Sequence, residues 1–275
     1  MIKAPMEPLL IEDDNLSRAW GRAFLHMLDN PGTEISPLVV SISGFDADNQ
    51  AIESADIRAA LDAVFTEMGN WDVETVAFTI FPQRYWKLAS GDRKRLFALY
   101  KDAFPRLQAM NRQDNRRGLY FERLTMYGPS PCDGNQLEWI LSQYKPGVIR
   151  SKFQATTFDP CRDQLSSARL GFPCLQHVTF IPTGAGLVVN AFYATQQLFD
   201  KAYGNYLGLV QLGAFMAHEM SMPLARVHAY VGVAQKGTIN KTSEKLRELV
   251  SVLRRGVGSA SLPKGSADHA IALTS

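Results

Sequence analysis

Residues 174–220 read CLQHVTFIPTGAGLVVNAFYATQQLFDKAYGNYLGLVQLGAFMAHEM, and this stretch decides the fold class. Residues 174–181 and 186–193 are rich in β-branched and aromatic side chains, and the Pro and Gly residues between them are typical of a tight turn, so we predict a hairpin of two strands. Residues 196–220 carry large apolar side chains and three glycines. That mixture predicts a buried central helix whose small residues allow close approach to a sheet. A hairpin followed by such a helix indicates an α/β domain.

Similar patterns place further elements on both sides of this stretch. Asn15 is a good N-cap for a helix that carries apolar residues at helical spacing from Leu16 to Leu28. Residues 1–255 are predicted to form a single domain, and the Gly-, Ser- and Ala-rich residues 256–275 a mobile tail. Further helices are expected over residues 57–68, 93–104 (before Pro105), 137–144 and 242–255. Further strands are expected over residues 38–43, 73–81, 151–158 and 227–233.

The composition limits the class of protein. The chain has 275 residues, 46% hydrophobic and 20% charged, which suffices for one sizeable core. No uncharged apolar run approaches the roughly 18 residues of a membrane span, and no signal peptide pattern opens the chain, so we expect a soluble cytoplasmic protein without a membrane partner. Three cysteines without a C-x-x-C pair indicate neither a disulfide framework nor a zinc site. With a net charge of +2 and no aromatic interleaving in its basic cluster Arg93-Lys94-Arg95, the chain is not expected to bind nucleic acid.

A series of short motifs follows a fixed order in the second half of the chain. Gly171-Phe172-Pro173-Cys174 is followed by Asn205, which lies 31 residues after the cysteine, and then by Phe215-Met216-Ala217-His218. In this order and spacing, over about residues 118 to 235, the chain resembles a divergent member of the thymidylate synthase superfamily. The upstream motifs that contribute are Tyr120-Phe121-Glu122-Arg123, Asn135-Gln136-Leu137 and Phe158-Asp159-Pro160.

The resemblance implies a thymidylate synthase-like α/β sandwich with a mixed sheet, and a homodimer formed through that sheet. It implies one-carbon transfer from 5,10-methylenetetrahydrofolate to C5 of a pyrimidine nucleotide or modified nucleotide, giving a methyl or a hydroxymethyl group. Cys174 would be the thiolate that adds to C6, Tyr120 an active-site residue and Asn205 the residue that orients the base. The other substrate-binding candidates are Thr195, Gln197 and Gln235, with Arg150 and Lys152 near the Arg pair that the family donates across its dimer.

The chain departs from the family pattern at several positions. Leu175 stands where the family has His, and Ala194 replaces the Arg that binds phosphate, which removes the main bidentate donor. Gln197 falls on the folate-contacting Asp. The preferred ungapped register puts Gln235 and Gly237 on the ribose-binding His and Tyr, whereas a gapped register would use His228 and Tyr230. The position of the general-base Glu, counted back from Tyr120, falls near residues 81–84, which contain no carboxylate. These departures argue against plain dUMP methylation.

Each candidate also has a structural interpretation. A lone Cys on a strand is commonly a small buried hydrophobe, an Asn at a helix start can cap it, and Tyr120 can be an interface aromatic. The rival function is therefore a non-catalytic dimer of this fold, acting as a binding or regulatory module. If the chain is catalytic, Cys174 is expected at the floor of the largest pocket. Successive apolar residues in 38–43 and 73–81 favour a homodimer that covers a sheet face.

Overall fold

The computed structural model describes residues 8–128, 131–145, 147, 150–166 and 173–258. Seven strands in these ranges form one mixed sheet in the order β1-β3-β7-β6-β5-β4, with β2 beside β7. The β1–β3 and β6–β7 pairs are parallel and the others antiparallel, so the predicted α/β class with a mixed sheet is confirmed. The strands are β1 (Leu9–Asp13), β2 (Glu34–Ile35), β3 (Leu38–Ile42), β4 (Gln154–Thr156), β5 (Leu175–Thr183), β6 (Gly186–Gln197) and β7 (Leu224–Gln235).

The helices of the described ranges include one long central helix, which packs on β6 and β7. None of them combines the length and apolar character that a membrane crossing requires. They are α1 (Leu16–Asp29), α2 (Ala55–Met68), α3 (Val73–Ile80), α4 (Gln83–Ala89), α5 (Arg93–Met110), α6 (Arg112–Asn115), α7 (Tyr120–Thr125), α8 (Gln136–Gln143), α9 (Pro160–Asp163), α10 (Tyr203–Glu219) and α11 (Arg247–Val257). Short 3₁₀ turns cover Pro131–Gly134, Arg150–Lys152 and Glu244–Leu246, and a π-helical turn covers Leu198–Ala202.

The central helix is buried as predicted, although its α-helical part begins only at Tyr203. The glycines explain its close packing. A Cβ at Gly208 would lie 2.7 Å from the Ala77 carbonyl oxygen, so α3 lies directly on this part of α10. A Cβ at Gly213 would meet Val189 and Leu224 side chains of the sheet. The small residues thus admit a helix on one side and the sheet on the other.

The predicted strand over residues 73–81 is wrong, because this segment is helix α3. Asp72 caps it by accepting a hydrogen bond from the Thr75 backbone N–H. Val73, Val76, Ala77 and Ile80 share the buried face, which is helical spacing. The β-branched composition of the segment obscured this period.

Other boundaries also differ from the prediction. Helix α5 continues through Pro105 to Met110, since Leu107 extends the apolar stripe that packs on the core and offsets the hydrogen bond lost at the proline. Of residues 151–158, only Gln154–Thr156 pair as a strand. Helix α11 reaches Val257, so the first two residues assigned to a tail are helical, and residues 259–275 lie outside the described ranges. The Asn15 cap, the hairpin and the helix after Asn135 are confirmed.

The sheet face turned away from the helices carries an apolar row. Leu10, Val39, Tyr230 and Phe192 are successive partners across β1, β3, β7 and β6. Leu10 is 58% exposed, Tyr230 43% and Phe192 38%, and the two rings stack with centroids 5.5 Å apart. A second row on the same face, displaced by two residues along each strand, is polar. Its members are Glu12, Ser41, His228 and Asn190. An exposed apolar row with a polar border is typical of an interaction surface.

Candidate functional site

Cys174 directly precedes β5, where the start of β5 lies beside strand β6 and the first residue of helix α7. Its carbonyl oxygen accepts a 3.1 Å hydrogen bond from the Ala194 backbone N–H of β6. Its own N–H donates to the Tyr120 hydroxyl at 3.3 Å, and the Leu175 N–H donates to the same oxygen at 3.4 Å. The helix that starts at Tyr120 is thereby tied to the start of β5. Cys174 is half-buried rather than sealed in the core.

The Cys174 sulfur lies among polar groups. The Thr195 hydroxyl donates to Sγ at 3.9 Å, and the Tyr120 hydroxyl also bonds to it. Burial raises the pKa of the Cys174 thiol, while these two hydroxyls and the charge of Lys201 act in the opposite direction. Burial also raises the pKa of Tyr120 well above its ordinary value, so this phenol stays protonated and serves as a donor. The surroundings favour a thiol that ionises only when a ligand or a base assists it.

Further buried polar groups lie beside this thiol. The Tyr206 hydroxyl donates to Gln196 Oε1 at 3.0 Å. The Tyr193 hydroxyl and Gln196 Nε2 are buried and have no hydrogen-bond partner among the described residues. Burial raises the pKa of Tyr193, and the nearby groups of Tyr120, Tyr206 and Cys174 raise it further. An unpaired buried polar atom costs on the order of 1–3 kcal/mol, which a bound polar molecule would offset.

The remaining substrate-binding candidates are distributed over two regions. Asn205 lies in the first turn of α10, is only 4% exposed, and its side chain has no hydrogen-bond partner among the described residues. Gln197 and Gln235 are register partners at the ends of β6 and β7, and the Gln235 amide donates to Glu34 at 3.2 Å. The structure thus brings together Cys174, Tyr120 and Thr195, and separately Gln197 and Gln235.

The basic candidates lie apart from the thiol. Arg150 and Lys152 are exposed on the 3₁₀ turn before β4, and no hydrogen bond or ion pair in the described ranges joins them to Cys174. The residues of the alternative register, His228 and Tyr230, lie on the uncovered sheet face. His228 and Tyr230 therefore lie on a sheet surface and not among the hydroxyl groups that surround Cys174.

A buried carboxylate that has no separate signal in the sequence lies on α7, the helix that carries Tyr120. Glu122 follows Tyr120 on α7, is buried, and its Oε2 has no hydrogen-bond partner among the described residues. Burial raises its pKa, while Arg162, whose guanidinium is 3.6 Å away, and Arg123 lower it. The acid on α3, Glu74, is instead exposed and paired with Arg58 at 3.2 Å. Glu122 lies two positions after Tyr120, on another face of the helix, and no contact in the described ranges joins it to Cys174. Only its burial identifies it.

Two cavities among the described residues have volumes of about 520 Å³ and about 190 Å³, and Cys174 lines neither of them. The position of Cys174 at the floor of the largest pocket therefore stays a prediction. The larger cavity lies against the outward face of α3, which includes Phe78 and Thr79. Because this segment was predicted as a strand, the helix face that lines the cavity was not anticipated.

Comparisons with known proteins leave this geometry as the main guide to function. No protein-family model matches the chain, and a search of curated proteins finds no match either.

Proposed function

We propose that this chain transfers a one-carbon unit from methylenetetrahydrofolate to C5 of a pyrimidine nucleotide or modified nucleotide, through a covalent adduct to Cys174. The observation that supports this most is the half-buried Cys174 sulfur, which accepts hydrogen bonds from Thr195 and Tyr120 beside unpaired buried polar groups. A planar ring with carbonyl and N–H groups is the kind of molecule that would satisfy the Tyr193 hydroxyl and the Asn205 amide.

The proposed chemistry begins at the sulfur. The Cys174 thiolate adds to C6 of the ring, and the electron pair of the C5–C6 double bond moves toward C5 and the adjacent carbonyl. Asn205 would orient the ring by donating to one edge group and accepting from another. The protonated Tyr120 hydroxyl and Thr195 would hold the sulfur in place. After C5 has bonded to the one-carbon unit and lost its proton, the bond between that unit and its carrier would break, and the thiolate would leave C6 again. The carrier, when bound, would supply the methylene and, for a methyl product, the hydride, whereas water would supply the oxygen of a hydroxymethyl product.

The folate end of the reaction is assigned to Gln197. Its side chain is exposed at the end of β6 and has no hydrogen-bond partner among the described residues. An amide both donates and accepts, so it fits the edge of a folate ring where a carboxylate would only accept. Methylenetetrahydrofolate supplies the one-carbon unit when it is bound.

A second candidate function is a non-catalytic dimer that binds or regulates. Two observations favour it. Burial raises the pKa of Cys174, and the segment at the expected general-base position, residues 81–84, contains no carboxylate. The two functions differ in whether a bond to Cys174 ever forms.

Mass spectrometry after incubation separates the two functions. The protein would be incubated with methylenetetrahydrofolate and a panel of pyrimidine nucleotides. Catalysis predicts a product heavier by a methyl or hydroxymethyl group, or a nucleotide adduct on the Cys174 peptide. Because the pKa of the thiol is raised, turnover should increase as the pH rises toward the thiol pKa. A panel that yields neither product nor adduct over this pH range would contradict catalysis.

Replacing Ala194 with arginine is expected to strengthen dUMP binding about tenfold to hundredfold. The Ala194 backbone N–H donates to the Cys174 carbonyl oxygen, so an arginine side chain at position 194 would begin on the strand beside Cys174. A charge-assisted phosphate contact contributes roughly 1.5–3 kcal/mol, at about 1.4 kcal/mol per decade of affinity. Titration calorimetry would compare Ala194→Arg with Thr183→Arg, which adds the same charge at the far, exposed end of β5. Low-micromolar binding of dUMP by the unmodified protein would show instead that another basic residue, such as Arg150 or Lys152, binds the phosphate.

The uncovered sheet face supports the proposed homodimer. We expect Tyr230→Lys to convert a dimer into a monomer at micromolar concentration, because it places a charge at the centre of the apolar row. Analytical ultracentrifugation would measure the change, with Leu88→Lys as the control, since Leu88 is an exposed leucine on α4. A wild-type chain that sediments as a monomer, or a Tyr230→Lys variant that stays dimeric, would exclude this interface.

A further inference from the structure

The larger cavity is a built pocket on the helical side of the molecule. It lies between the outward face of α3, the start of α4, the end of α5 and one side chain of α10, and holds about 520 Å³. Ligand sites of small molecules commonly have volumes of about 300–1,000 Å³. A single pyrimidine ring would fill only a small part of it. The cavity therefore suits a ligand larger than one ring.

A buried amide faces this cavity from the central helix. Gln211 lines both cavities, is 7% exposed, and makes no hydrogen bond through its side chain with any described residue. The residues one turn away on the same face, Leu207 and Phe215, are buried and apolar. The cavity is therefore the side on which water or a ligand can reach the amide.

The walls and rim of the cavity define the rest of the ligand. Phe78 and Tyr85 form an aromatic wall, with ring centroids 5.7 Å apart in an edge-to-face arrangement. Arg84 lies at the rim, exposed, and has no ion pair or hydrogen bond with a described residue. The acid at the rim, Glu74, is already paired with Arg58. Among the described lining residues, the rim thus offers one available positive charge.

We propose that this cavity binds a bicyclic heteroaromatic ring that carries an anionic group, the chemistry of a purine nucleotide. The Gln211 amide would form a bidentate pair with one edge of the ring, its oxygen accepting an N–H and its NH₂ donating to the adjacent acceptor. Guanine and hypoxanthine offer N1–H and the C6 carbonyl for this pair, and adenine offers N6–H and N1 or N7. The ring would lie against Phe78 and Tyr85, where offset or edge contacts between aromatic rings are favourable. Arg84 would bind the phosphate. The site uses none of the residues assigned to the chemistry at Cys174.

Titration calorimetry with guanosine 5′-monophosphate tests the proposal directly. The chain should bind it at least tenfold more tightly than ribose 5-phosphate, which lacks the ring. Guanosine without phosphate should bind several-fold more weakly, and that difference should shrink with added salt. No binding of guanosine 5′-monophosphate at about 1 mM, the weak end of measurable affinity, overturns the proposal.

Variants locate the site. Gln211→Leu should lower the affinity for guanosine 5′-monophosphate at least tenfold without lowering the melting temperature of the free protein, since the amide makes no hydrogen bond with a described residue. Arg84→Gln should weaken binding of the nucleotide but not of guanosine, whereas Lys87→Gln, which changes an α4 cation outside the cavity, should leave both unchanged. Unaltered nucleotide affinity in Gln211→Leu overturns the assignment.

A competition experiment distinguishes this site from the proposed folate site. Tetrahydrofolate should not displace guanosine 5′-monophosphate, and Cys174→Ser should bind the purine nucleotide normally whether or not the chain is an enzyme. Displacement by tetrahydrofolate would place the proposed cofactor in this cavity and overturn the proposal of a separate site.

Discussion

Replacing Cys174 with serine is expected to lower one-carbon transfer by about 10³-fold or more, because loss of a covalent nucleophile removes the pathway itself. A serine hydroxyl in the same position ionises far less readily than a thiol. Any nucleotide adduct in the mass spectrum of the intact protein should disappear together with the product. Rates would be measured with the nucleotide that the wild-type chain converts.

The other cysteines provide matched controls. Cys132 and Cys161 are exposed, and Cys132→Ser and Cys161→Ser should keep full activity. Thermal melts of all three variants would check that the fold is retained. Transfer at the wild-type rate by Cys174→Ser would exclude the thiolate mechanism and leave the chain's resemblance to thymidylate synthases without its central chemical step.

The grouping of Cys174, Tyr120 and Thr195 could be predicted from sequence because it depends on motif order along the chain. The structure places the Tyr120 hydroxyl at the Cys174 backbone and the Thr195 hydroxyl at the sulfur. Their proximity is a finding, while their chemical roles stay a proposal. The unpaired Tyr193 hydroxyl could not be predicted, because a tyrosine on a strand gives no sign of which groups will surround it.

The misassigned segment 73–81 shows where local patterns fail. Its composition favours a strand, but Asp72 as a cap and the 3.6-residue spacing of its buried side chains indicate a helix. Packing against the glycines of α10 then decides between the two. The error also hid the larger cavity, which depends on the outward face of this helix. Gln211 could not be predicted as a binding residue either, because a polar residue within an apolar run gives no sign of the cavity that it lines.

Replacing Asp163 with asparagine is expected to cost about 3–5 kcal/mol of unfolding free energy, because it removes the carboxylate that is hydrogen-bonded to a buried guanidinium and leaves only Glu122, 3.7 Å from Arg123 Nε, as an acid partner. Arg123 Nη2 lies 2.9 Å from Asp163 Oδ1, and both side chains are almost completely buried. Arg123 Nη1 also donates to the Thr157 carbonyl oxygen at 3.1 Å, and the Thr157 hydroxyl donates to the Leu175 carbonyl oxygen. The ion pair thus holds α7, which carries Tyr120, against the strand that follows Cys174. Its loss should disturb the site as well as the fold.

Urea unfolding would measure this cost, with Arg162→Gln as the control. Arg162 is exposed and lies 3.6 Å from Glu122, so its replacement should change stability by about 1 kcal/mol or less. The double variant Arg123→Met/Asp163→Leu should recover most of the loss, since an apolar pair of similar volume replaces the two charges and Glu122 keeps its ion pair with Arg162. A cost below about 1 kcal/mol for Asp163→Asn would show that water reaches Arg123, and the ion pair would then not be what fixes Tyr120 against Cys174.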